Sequence, residues 1–157
     1  VPQTSKILSW PSPKHGRPGI TQATFTFDST TTSAATPYTV LTISGRVFLK
    51  SIFGFVTTTL VSAGGGSVAL GTTAVTNAFI GATTATNLTT GLWWDTAAGS
   101  ATGSTVAYNA TGGNTAAVMN KLLAVNVIIN IATADVTGGV LEIYAIYLPL
   151  TDGAKLI

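Results

Sequence analysis

The sequence predicts an all-β protein: a β-sandwich, jelly-roll-like in topology, carrying an extended N-terminal arm. Three observations lead there. Apolar residues alternate with a two-residue period in several runs, turns rich in Gly, Ser, Thr and Asn separate those runs, and no long segment repeats its apolar residues at helical spacing. A chain of 157 residues fits one core, so residues 21–157 are expected to form a single domain behind an arm spanning 1–20.

The arm comes first. Val1 to Ile20 contains Pro2, Pro11, Pro13 and Pro18, which withhold backbone donors and fix φ, so the stretch suits neither a helix nor the middle of a sheet. WPSPKHGRPG, Trp10 to Gly19, concentrates three of the prolines, the only histidine and two of the seven cations. It contains no apolar run of signal-peptide length.

From Thr21 the pattern turns to TFTF and, after a Ser/Thr-rich loop, to YTVLTISGRVFLKSIFGFVTTTLV, Tyr38 to Val61. Unbroken alternation there puts Val47, Leu49, Phe53 and Phe55 on one face and Phe48, Lys50, Ile52 and Val56 on the other, with Gly45 and Gly54 as bends or bulges. Gly64 to Gly66 marks a turn, and Ser67 to Gly113 reads as short strands between polar turns. LLAVNVIINIA, Leu122 to Ala132, reads as one strand with Leu123, Val125, Val127, Ile129 and Ile131 inward. VLEIYAIYLPL, Val140 to Leu150, alternates again, and the connecting ADVTGG predicts an antiparallel hairpin between the two. Only Asn114 to Leu122 holds enough helix formers for a helix.

Composition narrows the function. Charged residues make up 8% of the chain against about 25% in ordinary soluble domains, and Thr, Ala, Gly, Ser and Asn fill the gap. Short side chains lose little entropy when covered, so the surface is biased towards contact with other subunits. The net charge of +2 is too small for a nucleic-acid-binding field, and neither nucleic acid nor membrane is an expected partner. Cysteine is absent, which removes disulfides and thiolate chemistry together.

No catalytic constellation stands out. Asp28, Asp95, Asp135, Glu142 and Asp152 are scattered one to a segment, and each reads as a turn residue or a strand-face charge. A Ser-His-Asp site would have to use His15, which sits in the arm and not on a rigid scaffold. The triple glycine lacks the Lys-Ser/Thr of a phosphate loop, no metal-ligand spacing occurs, and no cofactor is expected. LWWD, Leu92 to Asp95, carries more information: on a strand, Trp93 and Trp94 point to opposite faces, so that one can anchor the core while the other joins a sugar platform or a subunit interface.

SGRVFLKSIFGFVTTT at Ser44 to Thr59, followed by a Thr/Ala/Gly-rich middle and GGVLEIYAIYLPLTDGA at Gly138 to Ala154, resembles the small structural proteins of tailed-bacteriophage virions, and most of all the head decoration, or cement, proteins. The resemblance implies a β-sandwich, a homotrimer on the outer surface of the capsid with the major capsid protein as partner, no enzymatic activity and no cofactor, and an N-terminal arm that reaches neighbouring subunits. The arm of this chain has no motif to match, so its role follows from physics. A proline-stiffened segment gives up less conformational freedom on docking, with Trp10 as anchor and Lys14, His15 and Arg17 as the polar contacts. A phage receptor- or carbohydrate-binding protein, resting on Trp93 and Trp94, is the competing expectation.

Overall fold

The two-residue pattern produces strands almost everywhere in the computed structural model, which describes residues 17–29, 32–96, 103–107 and 120–157. In chain order the strands are β1 (Gly19–Asp28), β2 (Pro37–Leu41), β3 (Ile43–Ser44), β4 (Val47–Val61), β5 (Ser67–Gly71), β6 (Ile80–Thr84), β7 (Leu92–Thr96), β8 (Gly103–Ala107), β9 (Lys121–Leu123), β10 (Val127–Ala132), β11 (Gly138–Pro149) and β12 (Lys155–Leu156). Among the described residues the only helical element is a 3-10 turn at Ala85–Asn87.

The strands make two principal sheets. One runs β1-β11-β4-β7-β8, with β9 also paired to β4, and the other runs β2-β10-β5-β6; β3 and β12 form a separate small pair. Every pairing is antiparallel, and the pairing is nested: β1 with β11, β2 with β10, β4 with β7, and β5 with β6. The two sheets enclose one apolar core, to which Phe25, Leu49, Val56, Leu141 and Ile143 come from the larger sheet and Val68, Leu70, Ile129 and Ile131 from the smaller. The molecule is therefore an all-β sandwich, as expected.

Several sequence expectations change where strands meet. The arm was expected to extend through Ile20, but Gly19 and Ile20 already pair with Tyr147 and Ile146, so the domain begins at Gly19. Gly19 is needed there: a Cβ would lie 2.6 Å from the Tyr147 ring. LLAVNVIINIA is not one strand. It breaks at Ala124–Asn126, with β9 in the larger sheet and β10 in the smaller, and Val125, expected inward, is half exposed. At the break Asn126 Oδ1 accepts the Ile43 N–H at 3.0 Å, which satisfies a backbone donor where the chain changes sheets. The predicted hairpin across ADVTGG is absent for the same reason: β10 pairs with β2 and β5, β11 with β1 and β4, and the linker crosses between layers.

The alternation along β4 also changes phase. Tyr147 opposes Leu49 and Ile146 opposes Ser51, leaving Lys50 as an extra residue in a bulge. Val47 and Leu49 therefore share the buried face with Ile52, Gly54 and Val56, while Phe48, Phe53 and Phe55 turn outward; the continuous alternation expected from sequence fails at this point. Gly45 does bend the chain, with φ of 76°, but Gly54 lies in regular strand register. The turn at Gly64–Gly66 stands as predicted. In the segment read as a possible helix, Lys121 and Leu122 are strand residues, and 114–119 lie outside the described residues.

Candidate functional site

The LWWD segment forms β7, and its two tryptophans do face opposite ways. Trp94 is completely buried between the sheets, and its Nε1–H donates to Thr83 Oγ1 at 2.9 Å across the sandwich. That bond satisfies the one polar atom of a large core side chain. Gly54 lies directly opposite Trp94 on β4, where a Cβ would come within 2.9 Å of the indole, so the glycine serves close approach and not bending. Trp94 is therefore a core residue. The expectation that it lines an interface or a ligand site is corrected.

Trp93 faces outward into a group of rings. Its centroid lies 4.8 Å from Phe55, 5.3 Å from Phe53 and 6.2 Å from Tyr144, and Phe53 stacks on Tyr144 at 5.5 Å with 17° between planes. Strand register sets this geometry, since Tyr144 opposes Phe53 and Glu142 opposes Phe55, which in turn opposes Trp93. The cluster therefore spans three adjacent strands.

One ionisable pair belongs to it. Tyr144 donates its hydroxyl proton to Glu142 Oε2 at 2.6 Å. Burial pushes the Tyr144 phenol up to about 12, and the hydrogen bond to Glu142 and the negative charge of that carboxylate push the same way. A phenol held so firmly in its neutral form is a poor nucleophile or base near neutral pH. The chemistry on offer is apolar stacking beside a carboxylate that accepts hydrogen bonds.

The apolar character continues beyond the rings. Further along the same face Leu148 opposes Phe48, which opposes Leu122, while Ile146 lies between Ile20 and Ser51. Ile20 is 63% and Leu122 76% exposed. Lys50, the bulged residue, lies 5.6 Å from the Phe48 ring centroid, within the range of a cation–π contact.

The other residues singled out from sequence are not gathered here. Arg17 is exposed just ahead of β1, and Trp10, Lys14 and His15 lie outside the described residues. Among the acids, Asp135 accepts the Ala34 N–H at 2.7 Å as a turn residue would, and Asp95 lies on a strand, β7, where it is buried. Among the described residues no group of three His, Cys, Asp or Glu side chains is placed to hold a metal.

Sequence reasoning reached Trp93 but not the rest of its cluster. The signal was available in LKSIF: two consecutive polar residues, Lys50 and Ser51, interrupt the alternation and announce the phase change that turns Phe53 and Phe55 outward. Comparison with protein-family models, curated proteins and solved structures finds no match.

Proposed function

We propose that this protein is a virion structural protein, a decoration or cement protein that binds the outer surface of a tailed-bacteriophage head as a homotrimer and stabilises capsomer contacts. The nested pairing of first strand with last, second with second-last and so inward is the pattern of a long hairpin wound into a double-layered roll, and we take the topology to be a jelly roll. That architecture serves capsid proteins and lectins alike, so the fold does not choose between them.

The observation that carries the reading is the outward face of the six-stranded sheet. Phe48, Phe53, Tyr144, Ile146 and Leu148 sit half-buried on a surface that a two-layer sandwich has no need to make apolar. Such a face in a chain with 8% charged residues suits a subunit of an assembly. The arm fits the same purpose. It enters β1 through Pro18 at the edge of the sheet, and three stiff arms on one trimer act at high effective concentration, raising avidity by roughly 10²–10⁴ over one arm.

The test is a deletion of residues 1–16, which leaves β1 intact, applied to the full chain and to purified phage heads. A folded oligomer that no longer occupies the heads is the expected outcome; undiminished occupancy would remove the arm from the account.

The competing reading has one favouring observation, the Trp93–Phe53–Tyr144 rings beside Glu142, which have the composition of a sugar-stacking platform. Glycan-array binding lost in Trp93→Ala, together with failure to attach to heads, would favour adhesion over cementing.

A further inference from the structure

The two outward rows at the Phe48 end are largely apolar: Leu148, Phe48 and Leu122 form one, and Ile20 and Ile146 lead the next, which ends on β4 at Ser51. They cross four strands, β1, β11, β4 and β9. With strands about 4.8 Å apart and about 3.4 Å per residue, the whole outward face over the length of β1 has a planar footprint of roughly 650 Å². A standard protein interface buries roughly 800 Å² per partner, so the whole face, summed over the two neighbours of one copy in a ring, approaches the area of one such interface.

The occupant is indicated by charge. On the strands of this face Lys50 stands at the Phe48 end, whereas Glu142 on β11 and Asp28 on β1 stand towards the opposite end, and Asp95 on β7 is buried. The cation-bearing end of the face complements the carboxylate-bearing end of another copy, and because the two ends are different patches, a contact of one on the other is heterologous and can close into a ring. A strongly acidic or basic partner would leave one end of the face opposed to like charge.

We propose that copies of this chain associate through the outward face of the six-stranded sheet, with the Lys50 end of one copy lying on the Glu142 end of the next. The inference rests on the self-association contained in the proposed function and assigns it a surface. It is independent of the arm.

Sedimentation velocity on the full chain tests it. Ile146→Lys, in the middle of the face, and Leu122→Ser, at its exposed rim, should each weaken assembly, the first by about tenfold or more. Val75→Lys replaces an exposed apolar side chain away from this face and should assemble like the parent. Far-UV circular dichroism and melting temperature establish that each variant is folded, and Leu122→Ser, at an exposed position, remains informative if Ile146→Lys does not fold. Lys50→Glu and Glu142→Lys should each weaken assembly, and the double exchange should recover it; a double variant as weak as the two losses combined would overturn the head-to-tail orientation. Folded face variants that assemble like an oligomeric parent would overturn the inference and leave the capsid reading standing. A monomeric parent that still decorates heads would overturn the inference together with the homotrimer, but not the attachment.

Discussion

The two sheets of the sandwich treat their outward faces differently. On the four-stranded sheet the outward rows are Pro37, Asn130 and Ala69, then Thr39, Ile128 and Gly71, then Ala132 and Ser67, and the one large apolar side chain among them, Ile128, is buried. On the six-stranded sheet the outward rows carry Phe48, Phe53, Phe55, Trp93, Tyr144, Ile146 and Leu148. A two-layer fold needs one apolar face per sheet. The smaller sheet meets that requirement and stops there, whereas the larger one also carries large apolar side chains outward on β4, β7 and β11, which the core between the two sheets does not explain. The difference separates residues that fold the domain from residues available to bind something.

The tryptophan pair gives the sharpest way to break that distinction, because neighbours on one strand sit on opposite sides of it. Trp94→Ala should cost about 3–5 kcal/mol in denaturant unfolding, through lost burial and the cavity left between the sheets. Trp93→Ala should cost about 1–2 kcal/mol, the value of ring contacts at a partly open surface. Equal losses would mean that both faces belong to the folding core and would dissolve the comparison.

Gly54→Ala probes the inner side more gently. The added methyl would press on Trp94 and the Ile143 side chain, 2.9 and 3.3 Å away, and overpacking of this kind costs about 1–3 kcal/mol. A neutral result would show that the Gly54–Trp94 approach has slack.

The smallest effect concerns Tyr144 on the outer side. Its phenol ionises at about 12 in the folded chain against an ordinary value of 10.0, so the folded state holds this proton more tightly than the unfolded state does. The associated stability is fully present below about pH 10 and declines as pH rises towards 12. Tyr144→Phe should remove that alkaline decline and delete a component near pH 12 from the ultraviolet tyrosine titration. A Tyr144 phenol that titrates near pH 10 would mean that neither its burial nor its Glu142 bond persists in solution.

The cluster was only partly legible in advance. Trp93 and Trp94 could be assigned to opposite faces because alternation is a property of the strand itself, whatever it pairs with. Unbroken alternation puts Phe53 and Phe55 on the face of Val47 and Leu49; the polar pair Lys50-Ser51 marks an interruption in the sequence, but that it is a one-residue bulge is defined by the partner strand, β11. Tyr144 and Glu142, some ninety positions along the chain, join the cluster through that same register. The arm residues Trp10, Lys14 and His15 lie outside the described structure, and Arg17 alone is placed, exposed at the entrance to β1.

Sequence by itself determined the all-β class, the turn at Gly64–Gly66, the opposed tryptophans and the alternation along β1 and β11, since each of these follows from local backbone geometry and side-chain polarity. Tertiary structure alone decided that LLAVNVIINIA divides between two sheets, that β10 and β11 pair with other strands instead of each other, and that one sheet turns large apolar side chains outward as well as inward. Those outcomes depend on which distant segments share a core, and the many weak burial and pairing energies that select among partners are summed over the whole domain.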